Sequence, residues 1–151
     1  FIPEYEAADG IRRFLAGTPG ILGMVALDAA LDVFDGLSME AVRQKSQALT
    51  GCFMATVEAQ GLPEVRILTP RDGAARGSQV ALAHPQAHAV VQALIERGVI
   101  ADYREPDIMR FGFSPLYNRF GDAGTAVATL AEVLSREAWR APRFQARSRV
   151  T

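Results

Sequence analysis

Apolar residues in the first part of the chain recur at helical spacing and predict two helices. The first is expected to begin at Thr18, as its cap, with Pro19 in the first helical position, and to end at Gly36. Its dense apolar positions predict a well buried helix. The second is expected to run from Ser38 to Gly61, and it is long and amphipathic, as is typical of a helix that lies across a sheet.

The period changes to alternation after the second helix, which predicts strands separated by two further helices. In chain order the predicted elements are a strand over residues 65–70, a strand over residues 78–84, a helix from His84 to Gly98, strands over residues 99–104 and 108–117, and a helix capped by Asp122. The first two strands are close enough along the chain to form a hairpin. This order predicts a small α+β domain in which helices cover a mainly antiparallel sheet.

The strand predicted over residues 108–117 has two unlike faces. Met109, Phe111 and Phe113 fall on one face and predict a core, whereas Arg110 and Gly112 fall on the other. Because glycine has no side chain, a flat ligand or a carboxylate can approach the neighbouring guanidinium closely. An ordinary half-buried strand with its arginine in water explains the same pattern, so the pattern alone leaves both interpretations open.

Composition narrows the class of protein. The chain has 151 residues, 49% of them hydrophobic, which suits one globular domain with a real core. A net charge of −1 gives no reason to expect nucleic acid or an anionic membrane as a partner, and no apolar run approaches the roughly 18 residues of a spanning helix. The single cysteine, Cys52, fits a reducing compartment, so a cytoplasmic location is expected. The chain begins at Phe1 without methionine, which suggests a fragment of a longer protein.

Several residues invite a catalytic or metal-binding interpretation, and each has a simpler one. His84 and His88 are four apart, but a proline lies between them and no third ligand is evident, so no metal site is expected. Ser78 follows a glycine but lacks the rest of a nucleophile elbow. Lys45 is the only lysine, and it stands at the margin of an apolar helix face, where a lysine ordinarily extends its charge to water.

Four ordered segments together resemble the C-terminal part of bacterial kynureninases. They are RRFLAGTP at 12–19, RGSQV at 76–80, GVIADYREP at 98–106 and RFGFSPLYN at 110–118. The resemblance spans about Phe1 to Leu134. It implies a fold type I pyridoxal-phosphate enzyme, related to class V aminotransferases, that works as a homodimer. It also implies hydrolysis of L-kynurenine to anthranilate and L-alanine, a reaction of tryptophan catabolism.

The resemblance also implies a domain organisation. Residues 1–36 correspond to the end of the large cofactor domain and the start of the connecting helices, and residues 37–138 to the small C-terminal domain. Residues 139–151 fall outside it and are expected to be a frayed, arginine-rich tail. In the family the cofactor lysine lies upstream, so no catalytic residue is expected in this chain, which alone is expected to be inactive.

Three residues are the site candidates. Arg110 matches the family's arginine for the substrate α-carboxylate, which it is expected to hold as a bidentate pair. Gly17 and Thr18 match a segment that reaches the active site, so both are candidate substrate contacts, and Thr18 is also a candidate cofactor contact. Two alternatives remain open: a free-standing module that binds an amino acid through Arg110, or another fold type I enzyme such as a class V aminotransferase.

Overall fold

The structure, a computed structural model, describes residues 4–146. The chain divides into two compact units, residues 1–38 and 39–151. The first unit contains a 3-10 helix (Gly10–Phe14), helix α1 (Ile21–Leu31) and a further 3-10 turn (Asp32–Phe34). The second unit contains the sheet and the remaining helices.

Helix α1 begins later than the sequence predicts. Gly20 is the residue before its first turn, which is closed by a hydrogen bond from Met24 N to Gly20 O at 3.1 Å. Thr18 therefore lies two residues before the cap position, in a bend, and the prediction that it caps the helix is wrong. The threonine-proline pair is a helix-start signal, but here the chain turns once more before the helical hydrogen bonds begin.

The expected burial of this helix is also wrong, because no residue of α1 is buried. Apolar residues occupy the helix on all sides, so the sequence carries the composition of a core helix without a single packed face. Burial needs a facing surface as well as apolar side chains, and helix α1 remains exposed. Its large exposed apolar side chains are Ile21, Leu22, Met24, Val25, Leu27 and Leu31.

The second unit has the predicted order of helices and strands. Its α-helices and strands are α2 (Met39–Gln60), β1 (Arg66–Ile67), β2 (Gln79–Ala83), α3 (Ala87–Glu96), β3 (Asp102–Arg104), β4 (Ile108–Gly112), α4 (Phe120–Ser135) and α5 (Pro142–Gln145). The sheet order is β1-β2-β4-β3, and all three strand pairs are antiparallel. The predicted hairpin of β1 and β2 and the predicted α+β fold class are confirmed.

An aromatic cluster joins the sheet to helix α2. Phe53 is fully buried, and its ring centroid lies 4.9 Å from that of Phe111 and 5.1 Å from that of Phe113. Met109 is fully buried on the same side of β4. The inner face predicted for this strand is therefore confirmed, and it fixes the opposite face of β4 as the outer face, where Arg110 lies.

The loop between β1 and β2 is held by two arginine side chains. Arg43 donates to the carbonyl oxygens of Arg76 and Gly73, at 2.7 and 2.6 Å. Arg76 donates to the hydroxyl of Thr50 at 3.1 Å and to the carbonyl of Arg71. These bonds satisfy backbone carbonyls of the loop that lie outside the strand pairing. They also give Arg76, the first residue of the RGSQV segment, a structural role in tying the loop to α2.

Helix α4 begins two residues before Asp122, so the prediction that Asp122 is its cap is wrong. Arg119 is the cap residue, and Asp122 occupies the third helical position. From there its carboxylate accepts a hydrogen bond from Arg119 N at 2.8 Å. The acidic residue still stabilises the start of the helix, as the second member of a capping box.

The tail is packed as far as Phe144, so the expectation of fraying is wrong for this part. Phe144 in α5 is buried, and Arg143 forms a bidentate pair with Glu96 of α3 at 2.9 and 2.8 Å. The hydrogen bond from Arg143 lowers the pKa of the Glu96 carboxyl. Residues 147–151, the rest of the predicted tail, lie outside the described residues.

His84 is buried as a neutral imidazole between β2 and α3. Only 3% of the residue is exposed, and its Nδ1 accepts a hydrogen bond from Gln86 N at 3.1 Å. Because Nδ1 is an acceptor, it carries no proton in this arrangement. Burial lowers the pKa of His84, and the carboxylate of Glu64 opposes that shift in part.

The stability of the chain should therefore fall in mild acid. The unfolded chain takes up a proton at His84 near its ordinary pKa of about 6.5, whereas the folded chain does so only at lower pH. The contribution of His84 to stability should be fully present above about pH 6.5 and should decrease as the pH falls below that value. The midpoint of urea unfolding measures this decrease. His84→Gln should make the decrease smaller, and His88→Gln, at the other histidine, should leave it unchanged. An unchanged decrease in His84→Gln would assign it to other groups.

Candidate functional site around Arg110

Arg110 lies in the middle of the sheet, on its outer face. Strand β4 pairs with β2 on one side and β3 on the other, which places Arg110 opposite Ala81 and opposite Asp102. Alternation along β4 directs Met109 and Phe111 into the core and Arg110 away from it. Its side chain is 29% exposed, so much of the stem is covered while part of the guanidinium reaches solvent.

The guanidinium of Arg110 has spare hydrogen-bond donors. Its Nη2 donates to Oδ2 of Asp102, which is the only acceptor it contacts among the described residues. Its Nε is buried and has no hydrogen-bond partner there. A buried N–H without an acceptor costs on the order of 1–3 kcal/mol, and more on a charged group. The part-exposed end of the guanidinium therefore keeps donors for a further acceptor, such as a carboxylate, from outside the described residues.

The strand leaves room beside this group. Gly112 lies on the same face, two residues along β4, and a Cβ built there would meet nothing within 4 Å. The open approach predicted from the glycine is therefore present, although an alanine would also fit in the described chain. The small side chain of Ala81 on the adjacent strand adds to this openness.

Gly17 and Thr18 belong to the first unit, whereas Arg110 belongs to the second. Both lie in an exposed bend before α1, and a Cβ built on Gly17 would meet nothing within 4 Å. The backbone and the threonine hydroxyl are thus accessible to a ligand. Their roles as substrate or cofactor contacts stay predictions.

The structure also places Ser78, His88 and Lys45, for which no catalytic or metal-binding role is expected. Ser78 exchanges a hydrogen bond with the hydroxyl of Ser46 at 2.8 Å, and His88 makes an edge contact with the ring of Tyr103. Lys45 is half-buried on α2. Within residues 4–146, no three histidine, cysteine or acidic side chains are grouped so that they could hold a metal ion. Over the same residues, no helix has the length and apolar character needed to cross a membrane.

A cleft of about 330 Å³ lies at the end of β4, but the side chains of Asn118 and Asp122 in its lining are already engaged. Asn118 accepts a hydrogen bond from Ser114 N at 2.7 Å, and Asp122 accepts one from Arg119 N. Both side chains stabilise local backbone turns. The outer face of the sheet around Arg110 offers an ionic donor with free capacity, which makes it the better candidate site.

Two charged residues on β3 complete this site, and the sequence did not reveal them. Asp102 accepts from Arg110, and Nη2 of Arg104 lies 3.3 Å from the same carboxylate oxygen. The signal that could have found the Asp102 pair is the cross-strand register, since Asp102 and Arg110 stand directly opposite each other. That register depends on where β3 and β4 pair, and alternation within one strand does not specify it.

Comparison with solved structures defines the class of fold. A NifS-like protein matches with a TM-score of 0.64 and 17% sequence identity, and the match covers 87% of this chain and 38% of that one. At this identity the likeness concerns the fold alone, and it agrees with the α+β class predicted from the sequence.

Comparison with protein families gives the family itself. The family described as "Kynureninase C-terminal domain" matches residues 42–130, and the chain belongs to this family. A kynureninase of Burkholderia mallei (strain SAVP1) is 52% identical over 151 residues, and one of Pseudomonas fluorescens is 48% identical over 150 residues. Each match covers 99% of this chain and 36% of the relative, so the chain spans about a third of the length of these relatives. The resemblance stated from the four segments is confirmed.

Proposed function

We propose that the protein to which this chain belongs cleaves L-kynurenine with water, giving anthranilate and L-alanine, and that Arg110 binds the substrate's α-carboxylate. The identity of 48–52% with kynureninases over nearly the whole chain supports the reaction. The observation that carries the role of Arg110 is its part-exposed guanidinium, which contacts one acceptor, Asp102, among the described residues and has open space beside it at Gly112. A carboxylate supplies a further acceptor and the opposite charge together.

The part that Arg110 plays in the reaction follows from its geometry. A planar guanidinium holds a carboxylate through two parallel hydrogen bonds, which fix both position and rotation. A fixed carboxylate limits how the other bonds of the substrate's Cα can be oriented, so that the substrate meets the cofactor in one orientation. Arg110 stays protonated throughout and transfers no proton.

Pyridoxal phosphate is the cofactor that this proposal requires, and it supplies the electron sink for bond changes at the substrate's carbons. The described residues are suited to contacting this cofactor rather than to binding it covalently. Thr18 offers an accessible hydroxyl and Gly17 an accessible backbone near the start of α1. Lys45 lies half-buried on the amphipathic helix α2, and we assign the cofactor lysine to a part of the protein outside this chain.

The proposal extends to the organisation of the whole protein. Residues 1–36 are assigned to the end of a large cofactor domain and the connection that follows, and residues 37–138 to the small domain. The protein is assigned to the cytoplasm as a homodimer. The exposed apolar residues of α1 support a partner surface for the first segment, because a helix so apolar is stabilised by being covered.

The test is an assay of the intact protein supplied with pyridoxal phosphate and L-kynurenine. Anthranilate and L-alanine should appear in equal amounts, without any keto acid being added. Formation of a keto acid product, or activity only when an amino-group acceptor is supplied, would instead indicate an aminotransferase. The 151-residue chain alone, assayed in parallel, should give no product, because this proposal places the cofactor lysine outside it.

A further inference from the structure

We propose that Asp102 is the positioning residue for Arg110, holding one edge of its guanidinium so that the remaining donors face the substrate's carboxylate. This inference rests on the proposed function and deepens it, because it names a second residue of the same site. Asp102 acts through Arg110 and itself contacts no substrate.

The register of the sheet brings the two residues together. Asp102 on β3 stands directly opposite Arg110 on β4, and Oδ2 of Asp102 accepts from Nη2 of Arg110. A guanidinium has five N–H donors on three nitrogen atoms. The contact with Asp102 engages Nη2 and leaves Nε without a partner. An arginine held at one nitrogen in this way keeps enough donors for a bidentate ligand.

Arg104 prevents Asp102 from cancelling the charge of Arg110. Its Nη2 lies 3.3 Å from the same Oδ2, so one carboxylate is shared by two guanidinium groups. The three side chains together carry one net positive charge, and the site can still attract an anion. With Arg110 and Asp102 alone, the charges would balance and the attraction for a carboxylate would be weaker.

The contact is better suited to orientation than to stability. The Asp102 side chain is about half exposed and that of Arg110 is 29% exposed, and ion pairs with this much access to solvent contribute little to folding. An arginine side chain, however, has many rotamers, and within residues 4–146 Asp102 is the acceptor that holds the end of this one. Loss of Asp102 should therefore lower the fraction of molecules in which Arg110 is correctly placed.

The experiment compares two ligands that differ only in the α-carboxylate. L-kynurenine is the proposed substrate, and kynuramine, its decarboxylated form without the carboxylate, is the probe that is tested as a competitive inhibitor. In the intact, cofactor-loaded enzyme, Asp102→Asn should lower kcat/KM for L-kynurenine roughly fivefold, mainly through KM. The inhibition constant of kynuramine should stay within about twofold, because Arg110 does not contact that ligand.

Two further variants separate this inference from the proposed function. Glu96→Gln removes the acid from another arginine pair, that of Glu96 on α3 with Arg143. It should change neither kcat/KM for L-kynurenine nor the inhibition constant of kynuramine. Arg110→Lys should weaken L-kynurenine selectively, and if it does not, the carboxylate role fails and the role of Asp102 fails with it. If Arg110→Lys behaves as expected, the inference about Asp102 alone is overturned by any of three results for Asp102→Asn. The first is an unchanged kcat/KM for L-kynurenine, and the second is an increased one. The third is an equal weakening of L-kynurenine and kynuramine, which would indicate a structural role.

Discussion

Arg110→Lys in the intact enzyme should lower kcat/KM for L-kynurenine by more than tenfold, which corresponds to about 1.4 kcal/mol of transition-state stabilisation. Lysine keeps the positive charge but loses the planar fork, so it binds a carboxylate as a point charge and leaves its rotation free. Steady-state kinetics on protein matched for cofactor content measure this effect.

The matched control for this prediction is Arg66→Lys. Arg66 lies on β1 of the same sheet, and its partner is Asp107 at 3.8 Å, with most of its side chain exposed. The substitution is chemically the same and should change kcat/KM less than about twofold. A loss at Arg110 smaller than tenfold, or a loss as large at Arg66, would count against the carboxylate role.

Phe53→Ala should produce the largest loss of stability. Phe53 is fully buried and contacts Phe111 and Phe113, so its removal opens a cavity where α2 meets the inner face of the sheet. Truncation of a buried phenylalanine costs about 3–5 kcal/mol. Unfolding of the chain in urea, followed by circular dichroism, measures the change in the free energy of unfolding.

Phe120→Ala is the control for that prediction. Phe120 is the first residue of α4, and half of it is exposed, so the same truncation removes much less buried surface. Its cost should be below about 1 kcal/mol. Equal costs for the two variants would contradict the position of Phe53 at the centre of the core.

The parts of the fold that the sequence predicted are those in which local pattern and burial coincide. Met109 and Phe111 in β4 and Phe113 directly after it alternate with polar or small residues, and a two-residue period allows only one choice of inner face. The order of helices and strands in the second unit followed in the same way. The same period placed Arg110 on the outer face of β4, but its choice as a site residue came from the resemblance to kynureninases.

The parts that the sequence did not predict depend on partners far away along the chain. Helix α1 has the composition of a buried helix, but composition does not supply a surface to cover it. The tail contains arginines without acids, and its partner Glu96 lies 47 residues before Arg143. Asp102 lies beside Arg110 only because β3 pairs with β4 in this register. In each case the missing information is which segments meet.

The most direct test of the account is a crystal structure of the intact enzyme with an unreactive analogue of L-kynurenine that keeps the α-carboxylate. If Arg110 binds the α-carboxylate, two nitrogen atoms of its guanidinium should lie at about 2.7–2.9 Å from the two carboxylate oxygens. A carboxylate bound by other residues, with Arg110 contacting only Asp102, would contradict this role.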